Sequence, residues 1–295
     1  MLEHVYPAPF VVGAGRSGTT LLRMMLDAHP DLAIPPETRF VPRLINAARG
    51  GRASADDLAG LLAAERNWAD FGLDAKHLAE RFRKQPRLDP ATVVRSFYHA
   101  YAERFGKSRW GDKTPPYGRR APMIASAVPE AHFVHVVRDP RAVVASWLEF
   151  RAGRGDDPLT PAHWAEVWVA TVVETRVKAQ RVERFTEIRY EDLVTDPEPT
   201  LRRICDFIDL PFAGEMLSYH ETAAERLAEL SVGLPAGREQ PARSAADRIG
   251  PHELLAEPPR LDRIESWRNA LTPSESRAVE EVARDLLADL GYSAG

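Results

Sequence analysis

The sequence predicts an α/β fold, with a central, mainly parallel sheet covered by helices on both faces. Three stretches carry that expectation. Phe10-Val11-Val12 breaks into a Gly-rich turn and then into Leu21, Leu22, Met25 and Leu26 at the spacing of one helix face. Residues 131–137 are a second apolar run, and Asp139-Pro140 opens a helix directly after Arg138. Residues 186–190 read as a third strand, followed by Leu201, Ile204, Cys205 and Ile208 along one side of another helix.

In chain order, the first strand covers about residues 9–12 and its helix about 17–28. Residues 41–110 read as a helical insertion, in which Asp89 caps a helix with Pro90 at its first position and Val94, Tyr98, Tyr101 and Phe105 form its apolar stripe. A long helix is expected over 162–185, with Trp164, Trp168, Thr171 and Thr175 on one side. Pro211 ends the helix that follows the third strand. Residues 231–260, rich in Pro, Gly, Ser and Arg, read as a long irregular loop. The last helix starts at the capping box Thr272-Pro273-Ser274-Glu275 and stops at Gly291. The expected organisation is one α/β domain over 1–295, with the 41–110 insertion and a lid or acceptor-side region over 212–262.

Composition narrows the function classes. The 295 residues carry 39 basic and 43 acidic side chains, a net charge of −4, so nothing calls for nucleic acid or an anionic surface as partner. No membrane span is expected, because there is no 18-residue apolar run. A single cysteine, Cys205, and no signal-peptide pattern fit a reducing cytoplasm. Cys205 sits on an apolar helix face and reads as packing. The nine histidines show no metal-ligand spacing. His132 and His135 lie three apart on a strand and so point to opposite faces, and His29 reads as a brace at a helix end. No metal is expected, and the oligomeric state is not legible.

The turn Gly13-Ala14-Gly15-Arg16-Ser17-Gly18-Thr19-Thr20 is the most informative segment. A Gly-rich strand-to-helix turn aims backbone N–H groups and the positive end of a helix at one point, which makes an anion site. Its glycines spell G-x-G-x-x-G, with Glu37 about 20 residues on, as in dinucleotide folds. However, Pro35 and Pro36 disfavour the second strand that such a fold requires. The spacing also fits a P-loop, G-x-x-x-x-G-K-[ST], but Thr19 stands where the Lys belongs. A third pattern puts the positive charge in the loop as Arg16 and keeps the hydroxyls of Thr19 and Thr20.

That third pattern closely resembles the sulfotransferases that use 3′-phosphoadenosine 5′-phosphosulfate (PAPS). Arg16-Ser17-Gly18-Thr19-Thr20, Leu26-Asp27-Ala28-His29-Pro30-Asp31 and Glu37-Thr38-Arg39 resemble the opening of the tyrosylprotein sulfotransferases and their bacterial relatives. Val136-Val137-Arg138-Asp139-Pro140-Arg141, with Ser146, resembles that family's second motif. The resemblance implies that Gly15, Arg16, Ser17, Gly18, Thr19 and Thr20 cradle the 5′-phosphosulfate. Arg138 and Ser146 would hold the 3′-phosphate, a task to which the planar Arg fork is suited. Tyr190 would pack near the adenosine, and Arg263 matches a late segment that folds over the nucleotide.

The resemblance also implies the catalytic set. Glu37 matches the family's catalytic glutamate and would take the proton of a hydroxyl acceptor, a contribution of ~10²–10⁴-fold for a positioned base. Lys113 resembles the lysine that meets charge on the bridging oxygen. Arg39 would orient the base or the acceptor, and Arg16 would also serve the transfer. The implied function is sulfuryl transfer from PAPS to a phenol or alcohol, on a small molecule or a peptide tyrosine. Two rivals stay open: a P-loop-type ATP-dependent kinase, with Asp112 or Asp139 offered to a metal, and a nucleotide-binding module without chemistry. Trp68, Phe71, Tyr98, Tyr101, Trp147 and Phe150 could line an aromatic acceptor pocket.

Overall fold

The computed structural model describes residues 5–153, 159–237 and 241–293. Four parallel strands form the central sheet in the order β4-β1-β5-β6, where β1 is Ala8–Gly13, β4 Asp112–Lys113, β5 Ala131–Val137 and β6 Phe185–Arg189. The register sets Phe10 beside both Asp112 and Phe133, and Val136 beside Ile188. Every residue of β1 is buried, as a parallel strand covered on both faces requires.

The pleat sorts the two cores. Phe10, Val12 and Phe133 point into a cluster built from the insertion helices α2 (Val41–Arg49), α3 (Ala55–Ala63), α4 (Ala75–Arg83) and α5 (Pro90–Glu103). Val11, Val134, Val136 and Ile188 face α1 (Thr19–Asp27), α9 (Tyr190–Thr195) and α10 (Pro197–Phe207) on the other side. His132 and His135 accordingly lie on opposite faces, one against Phe207 and one against Phe185 and Glu187. His29 accepts the Asp31 N–H at 3.0 Å and meets the Pro211 carbonyl, bracing the exit of α1. Cys205 is buried, with its thiol pushed up to about 11 by burial, as an inert packing group should be.

Local signals in the sequence have the expected counterparts. Asp89 Oδ1 accepts the Thr92 N–H at 2.9 Å to cap α5. The capping box Thr272/Glu275 starts α14 (Pro273–Asp289), and Gly291 takes φ 71° just past its end. Asp139 caps α7 (Pro140–Ala152). The long helix α8, Pro161–Ala179, buries Trp164, Trp168, Thr171 and Thr175 as expected.

Several expectations are corrected. Helix α8 stops at Ala179, six residues short of the reading, so that the chain can turn into β6. Tyr190 is the first residue of α9 and not the end of a strand. One expectation beside these is met: Leu32–Ala33 (β2) adds no strand to the central sheet and pairs only with Arg109–Trp110 (β3) outside it. The stretch 231–260 is less irregular than its composition suggests. It bridges Leu234 to Arg243, forms α12 (Ala245–Ile249) from a Ser244/Asp247 capping box, and runs on as a 3₁₀ segment Gly250–Ala256. Residues 238–240, inside that expected loop, lie outside the described residues. No helix among the described residues is long and apolar enough to cross a membrane.

Candidate active site

The carboxyl ends of β1, β4, β5 and β6 converge on one side of the sheet, which is where such folds bind ligands. β1 delivers the Gly-rich loop. Gly18 is the N-cap of α1 at φ 91°, with no side chain to close the first turn, so that turn's N–H groups are left to a ligand. A Cβ at Gly18 would run into the Tyr190 ring, and a Cβ at Gly15 would sit 2.7 Å from Trp147. Arg16 itself holds φ 71°, a conformation that non-glycine residues adopt at a cost. Ser17, in the same loop, is fully buried, and its Oγ has no hydrogen-bond partner among the described residues. An orphaned hydroxyl, uncapped amides and Gly-only approaches together fit a bound anion.

β5 delivers Arg138, whose guanidinium lies 4.2 Å from the Tyr190 ring centroid and donates to the carbonyls of Arg16 and Arg263 at 3.2 and 2.8 Å. Arg16 Nε donates to Ser146 Oγ at 3.0 Å. Arg16, Gly18, Thr19, Thr20, Arg138, Ser146, Tyr190 and Arg263 thus ring one cavity of about 160 Å³. Burial, reinforced by the Arg138 charge, pushes Arg16 below its usual guanidinium range. This concentration of positive charge suits a polyanionic ligand.

Beyond Thr20 lies a cavity of about 730 Å³ lined by Glu37, Arg39, Lys113, Arg23, Asn67 and Arg248, among others. Lys113 Nζ donates to Glu37 Oε1 at 3.0 Å, and the Arg39 fork donates to Oε2 at 2.9 and 2.6 Å. Burial alone would raise the Glu37 carboxyl. The charges of Lys113 and then Arg39 overcome that and bring it down to about 2. Arg39 holds φ 38°, and the Phe40 N–H closes a tight turn onto the Thr38 carbonyl. Helix α2 starts only at Val41, so Glu37 belongs to a strained turn and not to a helix entry.

Other candidates are placed differently. Phe71, Tyr98 and Tyr101 are fully buried and Trp68 packs against the same core, so they line no acceptor pocket, whereas Trp147 and Phe150 do wall a third cavity beside Arg16. Asp112 is enclosed by hydroxyl groups and Asp139 is bound to Arg141, so both carboxylates that a kinase reading offered to a metal are already engaged. One functional candidate escaped sequence reasoning: His252, in Gly250–Ala256, lines all three cavities. Burial, then the charges of Lys113 and Arg16, push it down to about 3, so it stands neutral at the junction. A lone His in a Pro-rich stretch carries no local signal that could have marked it.

The sequence profile of the sulfotransferase family matches residues 7–214. The chain belongs to the sulfotransferase family. It is an enzyme of sulfuryl transfer. This sulfotransferase is 29% identical over 320 residues to nodulation protein NoeE of Sinorhizobium fredii, covering 99% of this chain and 68% of that one. It is 25% identical to protein-tyrosine sulfotransferase 1 of Danio rerio, covering 97% and 72%. Its fold is shared with the sulfotransferase domain of the curacin biosynthetic pathway, at a TM-score of 0.61, 22% identity and coverage of 99% and 100%. It is also shared with a mouse sulfotransferase complexed with PAP, at a TM-score of 0.52, 14% identity and coverage of 98% and 87%.

Proposed function

We propose that this sulfotransferase deprotonates its acceptor hydroxyl with Glu37 and meets the developing charge on the phosphate leaving group with Lys113 and Arg16. The observation that carries this reading is the Glu37–Lys113 pair at the mouth of the larger cavity, next to Thr20, which belongs to both cavities. In the transfer, the acceptor O–H gives its proton to Glu37, an O–S bond forms, and the S–O bond to the 5′-phosphate breaks with its electron pair going to phosphate. A carboxyl held near 2 is a weak base. A polyanion beside Lys113 competes with Glu37 for that charge, and the base then strengthens where it is needed.

Arg138, Ser146 and Tyr190 hold the 3′-phosphate and adenosine side, and the amides of residues 16–20 hold the 5′ side. The region 212–262 covers both cavities through His252, as a lid would. The acceptor is a phenol or alcohol on a small molecule or a peptide tyrosine, admitted through the larger cavity. The first test is calorimetric titration with 3′-phosphoadenosine 5′-phosphate (PAP), ADP and ATP, each with Mg²⁺ and with EDTA. Tight binding of PAP alone, in both media, supports the assignment of the smaller cavity. Preference for ATP with Mg²⁺ overturns it.

A further inference from the structure

Beneath Glu37 and Lys113 lies a group with no assigned role. Asp112 is fully buried on β4, next to Lys113 in sequence and on the opposite face of the strand. Its Oδ2 accepts from Thr38 Oγ1 at 2.8 Å, from Tyr98 OH at 2.8 Å and from Thr114 Oγ1 at 3.3 Å. Its Oδ1 is buried with no partner among the described residues. The hydroxyl protons all run one way. The Val41 N–H donates to Tyr117 OH, Tyr117 OH lies 3.0 Å from Thr38 Oγ1, and Thr38 passes its own proton to Asp112. The Thr38 N–H donates to Thr114 Oγ1, which again donates to Asp112. Each hydroxyl has one proton to give, so the network needs a pure acceptor at its end.

We propose that Asp112 is a positioning residue, whose carboxylate pins Thr38 and thereby holds Glu37, the left-handed Arg39 and Lys113 in transfer geometry. Thr38 is the residue between the base and its Arg, and the network grips that residue by both its side chain and its N–H. The same carboxylate sits on the strand that carries Lys113, so one acceptor joins the two segments whose side chains meet at 3.0 Å. The inference rests on the role proposed for Glu37, but its structural part does not. Burial, only partly offset by the hydroxyl bonds, raises the Asp112 carboxyl to about 6. The groups facing it are Tyr98 on α5 and Tyr117 on the segment after β4, both raised well above the usual phenol range, with Lys113 beside it on its own strand. A proton on the unpartnered Oδ1 turns the three charge-assisted bonds at Oδ2 into weaker neutral ones, so the grip on Thr38 loosens and activity falls as pH drops below about 6.

The test compares wild type, Asp112→Asn, Thr38→Val and Thr38→Ser. The probe is release of 4-nitrophenol from 4-nitrophenyl sulfate with PAP taking the sulfuryl group, which needs no knowledge of the natural acceptor. Asp112→Asn should lower kcat about 10–100-fold, the range for outer partners of a site group, with PAP affinity within about twofold. Its acid limb near pH 6 should vanish. Thr38→Val should fall in the same direction, and Thr38→Ser should return to near wild type. The idea is overturned if Asp112→Asn keeps kcat within about threefold, if PAP affinity falls in step with kcat, or if the acid limb persists. Should Asp112→Asn fail to fold, the Thr38 pair decides alone. Should wild type not turn over the probe, a crystal structure of Asp112→Asn decides the positioning claim without the role of Glu37: parted Glu37 and Lys113 support it, and an unchanged pair sinks it.

Discussion

The Arg16 and Arg138 charges of the nucleotide cavity are set at the ends of neighbouring parallel strands, whereas the larger cavity beyond Glu37 is assembled from segments far apart in the chain. Arg16 and Arg138 reach the first site because β1 and β5 are paired over six residues, from Ala8↔Ala131 to Gly13↔Val136. The second site depends on long-range ion pairs. Arg248 binds Asp70 with both side chains buried, Arg66 donates to the carbonyls of Pro235 and Pro241, and Glu229 links Arg23 to Tyr101. A site set by sheet register is preformed with the core. A site closed by charge pairs between an insertion and a covering segment can be opened by losing one pair.

The largest expected effect separates chemistry from binding. Glu37→Gln should cut turnover by ~10²–10⁴-fold and leave PAP affinity within about twofold, as measured by steady-state rates and calorimetry. Turnover near wild type at saturating PAPS would break the division between the two sites. On the side closed by ion pairs, Arg248→Met leaves the Asp70 carboxylate buried and unpaired, a loss of ~3–5 kcal/mol. Hydrogen exchange should then rise in residues 245–256 while β1 and β5 stay protected. Equal loosening of both would mean that the cover and the sheet unfold together.

On the side set by the sheet, Arg138→Ala should weaken PAP by ~10–100-fold, because charge-assisted bonds contribute ~1.5–3 kcal/mol. Adenosine 5′-phosphosulfate, which lacks the 3′-phosphate, should lose little. Equal losses would remove Arg138 from the 3′ side. The smallest effect is electrostatic. Glu37 is depressed from 4.5 to about 2, so its contribution to stability is present above pH 4.5 and is lost as pH falls toward 2. In Lys113→Met that contribution should be smaller and its loss complete at a higher pH, visible in acid denaturation followed by circular dichroism.

Much of the nucleotide side was legible because its determinants are local. A Gly at φ 91° and an uncapped helix start follow from a few adjacent residues, and so do the caps at Asp89, Asp139 and Thr272. The aromatic residues misled for a physical reason. Tyr98 stacks on Trp110 at 4.5 Å in the core, and a stripe at helical spacing says that one face is buried without saying against what. The boundary of α8 was missed because helix propensity continues past Ala179 while β6 pairing takes over.

What the sequence by itself determined is the strand-turn-helix cradle, the second basic motif after β5, and the identity of the Glu37 and Lys113 side chains. Only the tertiary structure decided that Arg16 bonds Ser146, that Asp112 ends a hydroxyl network under Thr38, and that His252 stands between the cavities. The physical reason is range. Backbone conformation and capping are set within a few residues, whereas Asp112 takes a donor from Thr38, 74 residues away, and His252 is held neutral beside Lys113 and Arg16, groups that meet only once the sheet and its cover have packed.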